Sequence, residues 1–224
     1  MNLYQNIGLF GGTFDPPHNA HLLVAEQILK KFELSHIYFV PAYTSPHKTH
    51  LQSECSYEDR VQMLTEALEG KENISISKFE IHRPKISYSI ETILHYKKIS
   101  PKNTKLYFII GNDAFLKIST WHEPKSLFSN CNFIVVNRPG FPMQDIQEVL
   151  KNTPLQKEFS KDEFSTNNIR IYRHFTGNAV YYCGDIMIDI SATRIREKIK
   201  NHESIKAFVP ESVLRYIEMH HLYI

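Results

Sequence analysis

The sequence predicts an α/β fold in which a mostly parallel sheet is covered by helices on both faces. Three observations carry this expectation. Residues 106–110 and 133–136 are almost purely apolar, as strands buried on both faces must be. Stretches with apolar residues at helical spacing separate such runs, which is the alternation that parallel pairing needs for its crossovers. The first 41 residues read as one strand, helix, strand unit.

Each element follows from its residues. A first strand over 3–10 runs into Gly11-Gly12, and a helix over 22–32 places Leu22, Ala25, Ile28, Leu29 and Phe32 near one face. A strand over 36–40 is stopped by Pro41. The polar stretch 42–55 reads as a loop. Ser56 with Asp59 three residues on predicts a capped helix whose core positions include Val61, Leu64, Ala67 and Leu68. A third strand lies in 74–79, and a helix opened by Ser87 or Ser89 carries Ile90, Ile93, Leu94 and Lys97. Strand 106–110 ends at Gly111, and strand 133–136 ends before Arg138-Pro139-Gly140. Residues 151–180 hold Pro154, a polar run at 165–168 and Gly177, and leave a hairpin or an ordered insertion open. Pattern returns at 186–190, followed by a helix over 191–200 and a last helix with Pro210 in its first turn and Val213, Leu214 and Ile217 inward. The expectation is a single domain over 1–224, with 191–224 as its C-terminal helical part.

Composition narrows the class. Hydrophobic residues at 42% and charged residues at 22% suit a globular chain rather than a disordered one. A net charge of only +2 with no basic stripe argues against a nucleic-acid binder. Cys55, Cys131 and Cys183 are widely spaced, forming neither a disulfide framework nor a CxxC site, which fits a reducing interior. No apolar leader and no apolar run of membrane-spanning length is present, so a cytoplasmic protein without membrane contact is expected. Monomer and homo-oligomer both stay open.

The sharpest segment is Gly8-Leu9-Phe10-Gly11-Gly12-Thr13-Phe14-Asp15-Pro16-Pro17-His18-Asn19-Ala20-His21. Adjacent glycines after a strand allow a tight turn and a close approach to a ligand, and a phosphate there would meet backbone N–H groups at a helix start. The spacing is neither GxGxxG nor GxxxxGK(S/T), so the dinucleotide fingerprint and the phosphate-loop motif both fail. His18 and His21, three apart, face one space. They either cap and pack the turn or donate to a phosphate oxygen; zinc wants three or four protein ligands and the pair supplies two. Late in the chain Ser191, Thr193, Arg194 and Arg196 follow a strand, forming either an ordinary capped helix with solvated arginines or a polyphosphate cradle.

Taken together, Gly11-Gly12-Thr13-Phe14-Asp15-Pro16-Pro17-His18-Asn19-Ala20-His21 resembles the opening motif of bacterial-type nicotinate-nucleotide adenylyltransferases, within the HxGH nucleotidylyltransferases. Ile190-Ser191-Ala192-Thr193-Arg194-Ile195-Arg196 is similar to their ISSTxIR motif. Between the two, Pro46-His47-Lys48, Ser87-Tyr88-Ser89-Ile90-Glu91-Thr92, Ile110-Gly111-Asn112-Asp113, Trp121 and Arg138-Pro139-Gly140 fall in the family's order, so the likeness spans essentially the whole chain. Four positions depart from it: Ala20 for Gly, Ala192 for Ser, Ser89 for Thr and Glu91 for Asp. Ala20 fits a helical turn if its φ is negative.

The resemblance implies a Rossmann-like nucleotidylyltransferase that joins ATP to nicotinate mononucleotide, yielding nicotinate adenine dinucleotide and pyrophosphate. It gives catalysis to His18, His21 and Arg196. Gly11, Gly12, Thr13, Phe14 and Lys48 would meet phosphates, with Ile190, Ser191, Thr193 and Arg196 on the triphosphate. Gly111 and Asp113 would meet the ATP ribose, and Ser89 and Trp121 the pyridine. Magnesium is implied with no protein ligand assigned to it. The attacking phosphate, with a second pKa of about 6, needs no strong base. Two rivals are transfer to another phosphorylated acceptor such as phosphopantetheine, and a nucleotide-binding protein that has lost turnover, which Ala20 and Ala192 keep open.

Overall fold

A computed structural model describes residues 6–44, 54–81, 86–141, 144–166, 168–187 and 189–224. Strand β1 (Asn6–Gly12) leads through helix α1 (Asn19–Lys31) to β2 (His36–Pro41), and α2 (Tyr57–Ala67) leads to β3 (Ile74–Ile76). Helix α3 (Ser89–Ile99) precedes β4 (Lys105–Gly111); the short α4 (Asn112–Phe115) and α5 (Pro124–Asn130) precede β5 (Asn132–Asn137). After α6 (Ile146–Val149) come β6 (Phe159–Lys161), β7 (Ile169–His174) and β8 (Ala179–Met187), then α7 (Ala192–Lys200) and α8 (Glu211–Met219).

All the strands join one sheet in the order β3-β2-β1-β4-β5-β8-β7-β6. Pairing is parallel from β3 to β8 and antiparallel only where β7 and β6 are added. Alternation along the strands shows why the apolar runs are continuous. Leu106, Phe108 and Ile110 of β4, with Phe133 and Val135 of β5, pack against Ile90 and Ile93 of α3 and Leu127 and Phe128 of α5. Tyr107 and Ile109, with Ile134 and Val136, join Val24, Ala25 and Ile28 of α1 and Leu64 of α2 on the opposite face. Both sides of the sheet are therefore dry, as a Rossmann-like layering requires. A third apolar cluster, with Met63, Ile195, Val213, Ile217 and Tyr223, seats α7 and α8 against α2.

Several boundaries differ from those the sequence predicts. Helix α1 opens at Asn19 rather than 22, because extended His18 takes the cap position. Strand β3 stops at Ile76: the Ser77 N–H still reaches the Phe39 carbonyl at 2.7 Å, but its hydroxyl turns back to accept from the Phe79 N–H. At α3 the cap position is Tyr88, since the Ser87 hydroxyl is occupied by the Tyr43 N–H at 2.9 Å. Leu94 is 46% exposed and so lies outside the core. Residues 151–180 supply β6 and β7 to the main sheet, and β8 begins at Ala179, well before 186. Gly184 and Asp185 interrupt the apolar pattern there, and the pairing with β5 shifts register at Val136 and Asn137, so the strand is not readable as a simple run. Pro210 stands at the cap of α8, one residue ahead of its first turn. Residues 3–5 of the predicted first strand lie outside the described residues.

Candidate active site

Strand order reverses between β1 and β4, and in open α/β sheets ligands meet the crevice beyond the carboxyl ends at such a reversal. The chain leaving β1 there is Gly11 to His21, and that leaving β4 is Gly111 to Asp113. Gly11 and Gly12 do not form the turn. They continue the ladder opposite Val40 and Pro41, and neither has a positive φ. Their missing side chains make room for rings: a Cβ on Gly11 would lie 2.7 Å from Phe108, and one on Gly12 would lie 2.8 Å from Phe14. The turn itself falls at Phe14, whose φ of 52° is left-handed. Edge-on contacts with Phe10 and His21, at 5.8 and 5.0 Å between centroids, fix the Phe14 ring. Buried Arg60 anchors the same loop by donating to the Thr13 carbonyl at 2.6 Å.

His18 caps α1 with extended backbone and is only 1% exposed, so its ring has left water. The partly exposed His21 ring stacks on it, with centroids 3.5 Å apart and planes 13° from parallel. The His18 N–H donates to His21 Nδ1 at 3.2 Å, which places the proton of neutral His21 on Nε2. Burial drives the His18 pKa down to about 3, aided by the charge of Arg138. Burial also lowers His21, with His18 and Arg138 contributing. Both imidazoles are thus neutral near pH 7. His18 Nδ1 is buried and has no hydrogen-bond partner among the described residues. Ala20 is buried within α1 and has no positive φ, so its Cβ is accommodated as expected.

Folding carries the late motif onto this loop. Arg196 Nη1 donates to the Asp15 carbonyl at 2.7 Å, and Arg196 Nε donates to Glu54 at 3.0 Å. Glu54 also pairs with Lys200 at 2.6 Å; the Lys200 bond first, then Arg196, holds its carboxyl below the usual range. Ser191 caps α7 by its extended backbone while its side chain makes no capping bond, and Thr193 in the first turn is exposed. Ile190 packs beneath them against the apolar clusters on either side. Hydroxyl, guanidinium and imidazole groups therefore sit on neighbouring segments, although Arg196 is engaged by protein oxygens.

Beyond β4, Gly111 caps α4 and a Cβ there would lie 2.5 Å from Asp113 Oδ1. The Asp113 carboxylate folds over Gly111 and pairs with Arg138 at 3.1 Å. Arg138, just past β5, also depresses both histidines, so it links the Asp113 carboxylate with the imidazole pair. Ser89 opens α3, and partly buried Trp121 follows a short helical turn, Ile118–Thr120, with its ring edge-on to Phe108 at 6.2 Å. Tyr88 and His122 touch, with centroids 4.3 Å apart, so the Ser89 and Trp121 segments meet. Lys48 lies outside the described residues. The sequence offered no signal for Arg60 or for buried Glu80, whose neighbours are ordinary. Arg138 was visible only as part of Arg138-Pro139-Gly140.

The chain is similar to known proteins along its full length. The cytidylyltransferase-like family model matches residues 9–198. A probable nicotinate-nucleotide adenylyltransferase of Geobacter sp. (strain M21) is 38% identical over 98% of this chain and 99% of its own. Another, from Thermoanaerobacter sp. (strain X514), is 37% identical over 100% of this chain and 96% of its own. Among solved structures, Plasmodium falciparum nicotinic acid mononucleotide adenylyltransferase complexed with NaAD has a TM-score of 0.72 at 20% identity, covering 98% of this chain and 97% of that one. At that identity the likeness shows the fold.

Proposed function

The chain belongs to the nicotinate-nucleotide adenylyltransferases, within the cytidylyltransferase-like family, and on that premise we propose that it transfers AMP from ATP to nicotinate mononucleotide. The mononucleotide phosphate attacks the α-phosphorus of ATP; a new P–O bond forms, the bond to the β-phosphate breaks, and pyrophosphate leaves. Nicotinate adenine dinucleotide is the product, and a cytoplasmic setting suits the three unpaired cysteines.

One observation supports this reading above the rest: two neutral, stacked imidazoles at the start of α1, one with an unpartnered buried nitrogen, beside Arg138 and the Arg196-bearing turn. A helix N-terminus with uncharged N–H donors and arginine forks suits a polyphosphate. In this proposal His18 and His21 donate to the transferring and leaving phosphates, and Arg196, Thr193 and Ser191 hold the triphosphate. Arg196 would then exchange its protein oxygens for phosphate oxygens. Gly11, Gly12, Thr13, Phe14 and Lys48 border the phosphates, Gly111 and Asp113 the ribose. Trp121 stacks on the pyridine, whose carboxylate meets the Ser89 segment. Catalysis comes from alignment and from charge stabilisation rather than from a protein base.

Among the described residues no group of three or more His, Cys, Asp or Glu is placed to hold a metal. Magnesium fits this site only as an ion brought by ATP, held by phosphate oxygens and water, where it would neutralise phosphate charge. Complexes of the Plasmodium falciparum enzyme with NaAD and with APC agree with a nucleotide ligand in this fold.

The deciding measurement is pyrophosphate release with ATP, magnesium and, in parallel, nicotinate mononucleotide, nicotinamide mononucleotide and phosphopantetheine. Turnover of the nicotinate form, exceeding that of the amide, is expected. Efficient use of phosphopantetheine alone, or nucleotide binding without product at high enzyme concentration, would overturn the proposal.

A further inference from the structure

A buried polar chain that the reaction does not use runs between the two halves of the site. Glu80, 4% exposed, accepts at Oε1 from the Thr92 hydroxyl at 2.8 Å and at Oε2 from the Ser87 hydroxyl. Ser87 in turn accepts from the Tyr43 N–H at 2.9 Å, and its own N–H donates to the Thr44 carbonyl at 2.9 Å. From the other side Arg60, 1% exposed, donates to the Tyr43 carbonyl at 3.3 Å and to the Ala42 carbonyl at 2.9 Å. The same guanidinium holds the Thr13 carbonyl. A carboxylate and a guanidinium thus grip one short strand extension, and through it the loop that ends at His18 is tied to the first turn of α3, which carries Ser89.

The two halves lie far apart in sequence, so their relative placement rests on noncovalent ties such as this one and the β1–β4 ladder. Transfer between two bound substrates depends steeply on their separation, with a misplacement of about 1 Å costing roughly a hundredfold in rate. Burying a carboxylate is costly unless it is fully hydrogen-bonded, and here one oxygen takes the Thr92 hydroxyl of α3 and the other the Ser87 hydroxyl, which holds the Tyr43 backbone.

We propose that Glu80 is a positioning residue, which sets the pyridine half of the site against its phosphate half by holding Ser87, and through it Tyr43, in register with α3. This rests on the assignment of the mononucleotide to the Ser89 and Trp121 segments. Glu80→Gln keeps the volume but offers one acceptor oxygen in place of two and no charge, so one hydroxyl must turn round to accept from the NH2 group and both charge-assisted bonds are lost.

Steady-state kinetics in both substrates, with melting temperatures, should be measured for wild type, Glu80→Gln, Ser87→Ala and the double variant. The expected pattern is a KM for nicotinate mononucleotide raised roughly tenfold and a kcat lowered by a similar factor, together a roughly hundredfold fall in kcat/KM, the size expected for loss of a hydrogen bond to a charged group. The KM for ATP should stay within about twofold. Because both variants break the same link, the double variant should be no worse than the poorer single one. Parallel rises in both KM values, effects confined to the melting temperature, or multiplicative losses in the double variant would overturn the proposal. If Glu80→Gln does not fold, Ser87→Ala carries the same test. A wild type without pyridine-nucleotide turnover would remove the proposed function and this inference with it. An active wild type whose Glu80→Gln variant keeps both KM values removes only the role of Glu80.

Discussion

Burial of the His18 ring with an unpartnered Nδ1 costs the free protein about 1–3 kcal/mol by the usual penalty for an unsatisfied buried polar atom. The same burial holds its pKa down at about 3, against an ordinary value of 6.5. Between those two values the unfolded chain binds a proton that the folded chain refuses, so stability rises with pH across that window and is lost as pH falls through it. His18→Ala should therefore flatten the decline in melting temperature on acidification between about pH 6.5 and 3. At pH 7 the variant should lose roughly 10²–10³ in kcat/KM, the loss typical of one preorganised transition-state donor, while still melting cooperatively. A turnover close to wild type would take His18 out of the mechanism, and an unchanged acid slope would remove it as the source of acid sensitivity.

At the scale of elements, α1 is where the chain departs most visibly from the family pattern, since Ala20 occupies a position usually filled by Gly. The helix explains the tolerance: Ala20 is 3% exposed, packs with Phe10, Phe14 and Val24, and has no need of a positive φ. Ala20→Gly should thus be a loss, lowering stability by about 1 kcal/mol through helix propensity and vanished contact, with no gain in kcat. A faster Ala20→Gly enzyme would show instead that the extra methyl group impedes the site. Strands β4 and β5 were legible in the sequence because burial on both faces leaves an uninterrupted apolar run. The pair His18 and His21 was legible because they stand three apart at a helix start, although the cap bond from the His18 N–H to His21 and the stacking of the rings, not helical spacing, bring them together. Strand β8 was not, since Gly184 and Asp185 break its pattern, and neither were Glu80 and Arg60, because a charged residue in sequence gives no sign of being buried. That Gly11 continues the strand instead of forming the turn was hidden for a related reason: the Phe108 ring it accommodates lies nearly a hundred positions away.

For the molecule as a whole, the beginning and the end of the chain close on each other at Asp15. Its Oδ1 accepts from the Tyr223 hydroxyl at 2.8 Å and from the Cys55 thiol at 3.1 Å, and its Oδ2 accepts from the Glu54 N–H at 3.0 Å. Its carbonyl receives Arg196. Three distant segments thus converge on one residue three positions before His18, and burial keeps the Cys55 thiol protonated, its pKa pushed up to about 12. Tyr223→Phe removes the strongest hydroxyl donor to this carboxylate while leaving the ring in its apolar seat beside Val213 and Ile217. The expected cost is about 1–3 kcal/mol, read as a fall of roughly 2–12 °C in melting temperature for a chain of this size. Because the Asp15 backbone also places Arg196, the loosened carboxylate should raise the KM for ATP more than that for the mononucleotide, the reverse of the pattern expected at Glu80. Equal changes in both constants would mean that the C-terminal tie stabilises the fold without shaping the phosphate half of the site, and an unmoved melting temperature would mean that it contributes neither.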